Sequence, residues 1–239
     1  MRNKRVALTG VLLMVGFYPA LVGCSGQTKQ NVITHEDPVT EVKFLALGDS
    51  YTIGESVARQ HRWPVQLRAA MREKGCQLAE PHIIAQTGWT TAELSAAMRQ
   101  ANLQPGYDLV TLLIGVNNQF RGRGTEEFRI EFRGLLQRAI KLAKNDPQRV
   151  IVLSIPDYGV TPFGKGRDGQ QIGQELDRFN AIKEEEARTL GAHYVDNTVA
   201  SRAAFDDRTL VATDGLHPSG KLYKIWAEAT LPIALKVLR

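Results

Sequence analysis

Cysteine is scarce in this 239-residue chain, which has only Cys24 and Cys76. That scarcity excludes a disulfide-stapled scaffold and any paired-cysteine metal site. HExxH is also missing, so no metal site and no cofactor are expected. Aromatic residues make up 7% of the chain, charged residues 23% and hydrophobic residues 43%. This balance excludes a disordered chain, a collagen-like fibre and a coiled coil, and the length suits a single folded domain. No block of basic charge occurs in the body of the chain. The net charge is +5, but Arg2, Lys4 and Arg5 lie within the first five residues, and residues 1–23 contain no acid. Without that segment the 30 basic and 25 acidic residues become 27 and 25, so a nucleic-acid partner is not expected.

The one long apolar run follows this basic start. It spans residues 6–22 and is interrupted by Gly10, Gly16 and Pro19. A basic beginning, a short apolar stretch and small residues after it predict an export signal over residues 1–23, rather than a spanning helix of about 20 apolar residues. Leu21-Val22-Gly23-Cys24 resembles the bacterial lipobox, which implies cleavage before Cys24 and lipid on its sulfur and new amino group. Several acyl chains, at about 0.8 kcal/mol per buried methylene, would hold the protein firmly at a membrane. Ser25 rather than Asp follows the cysteine, implying the outer membrane if the cell is Gram-negative. With Cys24 lipidated, Cys76 has no intramolecular partner. Residues 24–41 are polar with little periodicity and read as a tether, leaving residues 42–239 as the folded domain.

Five short apolar runs punctuate that domain: residues 43–47, 82–85, 109–114, 150–155 and 192–195. Most are continuous rather than alternating, as in strands buried on both faces of a parallel sheet. Helices are expected between and after them, over residues 56–74, 92–101, 125–145, 171–190 and 219–238. The clearest is the third, where Phe128, Phe132, Leu135, Leu136, Ala139, Leu142 and Ala143 recur at three- and four-residue spacing. Glu126 and Glu127 at its start and Lys141 and Lys144 near its end complement the helix dipole. Strand–helix alternation repeated five times predicts a three-layer α/β/α domain with ligands at the carboxyl ends of the strands.

The candidate chemistry stands at those ends. Ser50 follows the first strand in Gly48-Asp49-Ser50-Tyr51, at a strand-to-helix turn that can expose its hydroxyl as a nucleophile; a helix N-cap is its bland alternative. Asp214 and His217 stand three apart in DGLHP, close enough for the acid to orient the base that a serine nucleophile needs. His35, His61, His82 and His193 have no acid three residues before them. The second strand runs into Gln86-Thr87-Gly88-Trp89 and the third into Gly115-Val116-Asn117-Asn118. Backbone N–H groups at Ser50 and Gly88 and the Asn117 amide could stabilise an oxyanion.

These four blocks resemble those of the GDSL, or SGNH, hydrolase family: Ser50 in GDSY, Gly88 in QTGWT, Asn117 in GVNN, and Asp214 with His217 in DGLHP. The resemblance covers residues 44–217. It implies a flavodoxin-like five-stranded parallel sheet in order 2-1-3-4-5, Ser50 as nucleophile, His217 as base, Asp214 as its orienting acid, and an oxyanion hole from Ser50, Gly88 and Asn117. Two blocks depart from the common pattern, GDSY replacing GDSL and Asn118 replacing an acid.

The expected activity is hydrolysis of short-chain carboxylic or acetyl esters at the cell envelope, through an acyl-enzyme, on a small-molecule or glycan substrate. The alternative is a non-catalytic envelope-binding lipoprotein on the same fold. A flavodoxin-like nucleotide binder is disfavoured, because the Walker-like stretch at residues 159–166 ends in Gly166 where Ser or Thr is needed. GxSxG is absent, which disfavours the α/β-hydrolase elbow. Arg121 and Arg123 are candidates for meeting an anionic substrate, and Trp89, Tyr158 and Phe163 for stacking on a sugar or acyl group.

Overall fold

The computed structural model describes residues 42–238; the expected signal, Cys24 and the tether lie outside them. Five parallel strands form one sheet: β1 (Phe44–Gly48), β2 (His82–Ala85), β3 (Leu109–Leu113), β4 (Val150–Leu153) and β5 (His193–Val195). Their order is β2-β1-β3-β4-β5, the flavodoxin-like order expected. β1, β3 and β4 are buried along their whole lengths, which is why their sequences run apolar without alternation. Edge strand β2 is partly exposed.

Eight helices are present among the described residues: α1 (Ser50–Ile53), α2 (Trp63–Glu73), α3 (Thr91–Gln100), α4 (Val116–Phe120), α5 (Thr125–Leu142), α6 (Gly169–Leu190), α7 (Thr198–Arg202) and α8 (Gly220–Val237). α2 packs on α8, while α3, α5 and α6 pack side by side. The first set is centred on Trp63, Leu67, Met71 and Trp226, all fully buried. In the second, Phe128 stacks on Phe132 and meets Phe179, with ring centroids at 5.6 and 4.5 Å.

The helix expected over residues 56–74 is shorter than its sequence suggests. Gly54 takes a left-handed conformation (φ 71°) and ends α1, Ser56 is also left-handed (φ 63°), and a 3-10 turn, Arg59–His61, intervenes. The helix proper starts only at Trp63, with Pro64 in its first turn, where a missing N–H costs nothing. α5 stops at Leu142 rather than residue 145, because Lys144 and Asn145 both turn left-handed.

The strand ends are set by local chemistry. Gly48 allows the end of β1 to lie against β3: a Cβ there would fall 2.3 Å from the Leu113 carbonyl oxygen and 2.1 Å from Thr52 Oγ1. Gly115 turns the chain after β3 at φ 128°, where a Cβ would meet Ile155 and Phe128 at 2.8 Å. Thr90 and Glu93 form a capping box that starts α3 directly after the Gly88-Trp89 turn.

Candidate active site

Asp49 caps α1, its Oδ1 accepting the Tyr51 N–H at 3.0 Å, so Ser50 becomes the first residue of a short helix at the carboxyl end of β1. On the far side of the site, the loop before α8 folds around Asp214. Its Oδ1 accepts the N–H groups of Leu216 and His217 at 2.9 and 3.0 Å, and its Oδ2 accepts His217 Nδ1–H at 2.6 Å. That bond holds the His217 Nδ1 proton and leaves Nε2 free as a base. Ser56 donates its hydroxyl to the same Oδ2 at 2.5 Å. Burial raises the Asp214 pKa, but the bonds from Ser56, His217 and the backbone outweigh it and bring it down to about 2. Asp214 is therefore ionised throughout the physiological range.

Ser50 and His217 line one cavity of about 160 Å³, together with Gly88, Asn117 and an apolar wall that includes Tyr51, Phe120, Tyr158, Phe163 and Leu216. Tyr51 packs edge-on against the His217 ring at 5.5 Å. No hydrogen bond joins Ser50 to His217 among the described residues; serine–histidine contacts often tighten only when substrate arrives.

The remaining candidates converge on the same cavity. Gly88 is left-handed at φ 88°, and its carbonyl is held by Arg121 at 2.6 Å. Asn117 donates one amide hydrogen to the Trp89 carbonyl at 2.9 Å, which leaves its second for an incoming oxygen. Asn118 does not face the cavity. It is fully buried beneath it, with Oδ1 accepting the Thr91 N–H at 3.0 Å and Nδ2 donating to Thr91 Oγ1 at 2.6 Å. Thr91 in turn donates its hydroxyl proton to Glu131. An amide both accepts and donates, which an ionised carboxylate cannot do. The departure at position 118 therefore fits its neighbours and ties the turn after β2 to the turn after β3.

Other expectations separate here. Arg121 pairs with Glu93 at 3.3 Å besides holding Gly88, and Arg123 pairs with Glu127 at 2.7 Å. Both guanidinium groups thus have partners inside the protein. Tyr158 is buried and donates to Gln119 Oε1 at 3.1 Å, Phe163 stands half-exposed at the cavity rim, and Trp89 packs against the core. Residues 159–166 form two 3-10 turns that pack glycine on glycine: a Cβ on Gly164 would come within 2.5 Å of the Gly159 oxygen. Phe163 N–H bonds the Gly215 carbonyl at 2.9 Å, tying this stretch to the loop of Asp214 and His217. Ser56 was not foreseen, because only its left-handed turn brings it to a residue 158 positions away.

A carboxylate-oriented histidine and a strand-end serine opening on one cavity, carried on a flavodoxin-like sheet, form the arrangement of an acyl hydrolase. Comparison with known families is specific: residues 46–225 match the GDSL-like lipase/acylhydrolase family, and the chain belongs to it. It is an ester-hydrolysing enzyme. The fold is similar to that of TesA (TM-score 0.65, 16% identity, covering 82% of this chain and 99% of that one). It is also similar to the psychrotrophic esterase EstA from Pseudoalteromonas sp. (0.60, 16%, 83% and 99%) and to an acetylxylan esterase from Geobacillus stearothermophilus (0.61, 20%, 83% and 96%). A search of curated proteins finds no match.

Proposed function

We propose that the chain is a serine esterase in which His217 Nε2 takes the Ser50 proton as Ser50 Oγ attacks the ester carbonyl. The Ser50 and Gly88 N–H groups and the free Asn117 amide hydrogen hold the developing oxyanion. Collapse expels the alcohol, protonated by His217, and leaves an acyl-enzyme. Water, deprotonated by His217, then releases the acid. Asp214 fixes the imidazole and stabilises its charged form. The observation that carries this reading is the 2.6 Å bond from His217 to a carboxylate held ionised, beside a cavity shared with Ser50.

The substrate reading is a short-chain or acetyl ester. A cavity of about 160 Å³ is small against the roughly 300–1,000 Å³ that encloses a drug-sized ligand. Glycan acetyl esters suit an envelope address, and an acetylxylan esterase is among the proteins of similar fold. A panel of acetyl, butyryl and octanoyl nitrophenyl esters with an acetylated oligosaccharide tests this. Acetyl and butyryl turnover well above octanoyl is expected; preference for octanoyl contradicts it.

The address itself rests on Leu21-Val22-Gly23-Cys24, which we read as a lipidation site anchoring the enzyme to a bacterial membrane, the outer one in a Gram-negative cell. Cells fed labelled palmitate should label the full chain and not its Cys24→Ala variant. Equal labelling of the two contradicts the anchor.

A further inference from the structure

α6 reaches the ends of two strands with polar side chains one turn apart. Asn180 clamps Ile155, just beyond β4, accepting its N–H at 2.7 Å and donating to its carbonyl at 2.9 Å. Lys183 does the corresponding job just beyond β3, donating from Nζ to the Ile114 carbonyl at 3.1 Å. Asn180 shows that a neutral amide can finish a strand. Lys183 instead places an ammonium at zero exposure, with the Phe132 ring at 5.6 Å and, among the described residues, only one hydrogen-bond acceptor. Burying a lone charge is costly, so the ammonium needs a compensating anion.

Asp49, the residue before Ser50, is the acid whose charge acts on it. It is also fully buried, and its Oδ2 has no hydrogen-bond partner among the described residues. Burial raises the Asp49 pKa to about 7, while the N–H groups of Tyr51 and Gly115 and the charge of Lys183 pull against that rise. Burial lowers the Lys183 pKa to about 7, against the pull of Asp49. Lys183 acts on one peptide unit, Ile114–Gly115, whose carbonyl accepts from its Nζ at 3.1 Å. Asn117 follows this peptide by two residues.

We propose that Lys183 is a positioning residue for the oxyanion hole: its buried bond to the Ile114 carbonyl holds the Ile114–Gly115 peptide and so sets where Asn117 stands relative to Ser50. The inference rests on the oxyanion role given to Asn117 above. A role confined to stability would leave the chemical step unchanged once the fold is intact. A positioning role makes the effect of Lys183 depend on Asn117.

The test is a cycle of Lys183→Met and Asn117→Ala, singly and together, with nitrophenyl acetate. Met keeps most of the side-chain volume. Lys183→Met is expected to lower kcat about 10- to 100-fold, the cost of a small misplacement, with KM within about twofold. In the Asn117→Ala background it should cost no more than about twofold further. Asp49→Asn with Lys183→Met removes both charges and carries the same cycle if the single Met variant does not fold. That pair should melt no lower than the wild type and still be slow, since replacing two buried ionisable groups together is often neutral or stabilising. Unchanged kcat in these variants, or the same penalty with and without Asn117, overturns the inference. An Asn117→Ala enzyme as fast as the wild type overturns the oxyanion reading, and this inference with it.

Discussion

Asn118→Asp exchanges one amide for a carboxyl at a fully buried position, and its cost can be worked from three contacts. Oδ1 can still accept the Thr91 N–H, but Nδ2, which now donates to Thr91 Oγ1 at 2.6 Å, becomes an oxygen facing an oxygen. The Thr91 proton is already committed to Glu131, so one of the two carboxylates must lose a donor. An orphaned buried acceptor costs about 1–3 kcal/mol, and a second buried charge near Glu131 brings the total to about 2–4 kcal/mol at neutral pH. For a chain of this size that lowers Tm by about 5–15 °C. The sign with pH follows from the chemistry. A protonated carboxyl can donate to Thr91 Oγ1 as the amide does, so the deficit shrinks toward pH 5 and grows toward pH 8. Thermal melts of the variant and the wild type at both pH values measure it. Equal Tm at pH 8, or a deficit independent of pH, refutes the reasoning.

Other expectations follow from the same contacts. Ser56→Gly suits φ 63° and removes only the hydroxyl on Asp214, so kcat/KM should fall about three- to tenfold with Tm nearly unchanged; an unaltered rate contradicts the role given to this bond. Arg121→Ala frees the Gly88 carbonyl and should slow neutral and anionic esters alike, by about fivefold; a loss confined to anionic esters would return Arg121 to substrate binding. Asp214 has a folded pKa of about 2, below its unfolded value, so its ionised form contributes stability above about pH 4 that is lost as pH falls toward 2. Asp214→Asn should flatten that part of the stability curve in urea unfolding between pH 2 and 5, and an unchanged slope would contradict the low pKa.

The parallel sheet was legible because its strands are apolar on both faces: β1, β3 and β4 have no exposed side to write in polar residues. The long helices were legible by period, and α6 keeps its expected end because Gly191 turns left-handed after Leu190. The start of α2 was not. Residues 54–62 make a chain of left-handed and 3-10 turns, and the contact fixing Ser56, its bond to Asp214, comes from 158 positions away rather than from local spacing.

The site divides in the same way. Ser50, Gly88 and Asn117 lie in short motifs after strands, and Asp214 and His217 in a short motif before α8, so all could be found by position. The partners that fix two of them come from far along the chain and have no motif: Ser56 for Asp214 and Arg121 for Gly88. Lys183 did leave a signal. It falls in step with Leu176, Phe179, Asn180 and Ala187, the buried stripe of α6, where a solvated lysine has no place.

The central claim is that Ser50 forms the acyl-enzyme under the control of His217. The most direct test is hydrolysis of nitrophenyl acetate by the purified protein beside Ser50→Ala, with a phosphonate label located by mass spectrometry. The wild type should turn over the ester and carry the label on the peptide containing Ser50. Ser50→Ala, folded as judged by circular dichroism, should be slower by at least about a thousandfold and remain unlabelled. A Ser50→Ala enzyme with near wild-type turnover, or a label on another residue, would contradict the account.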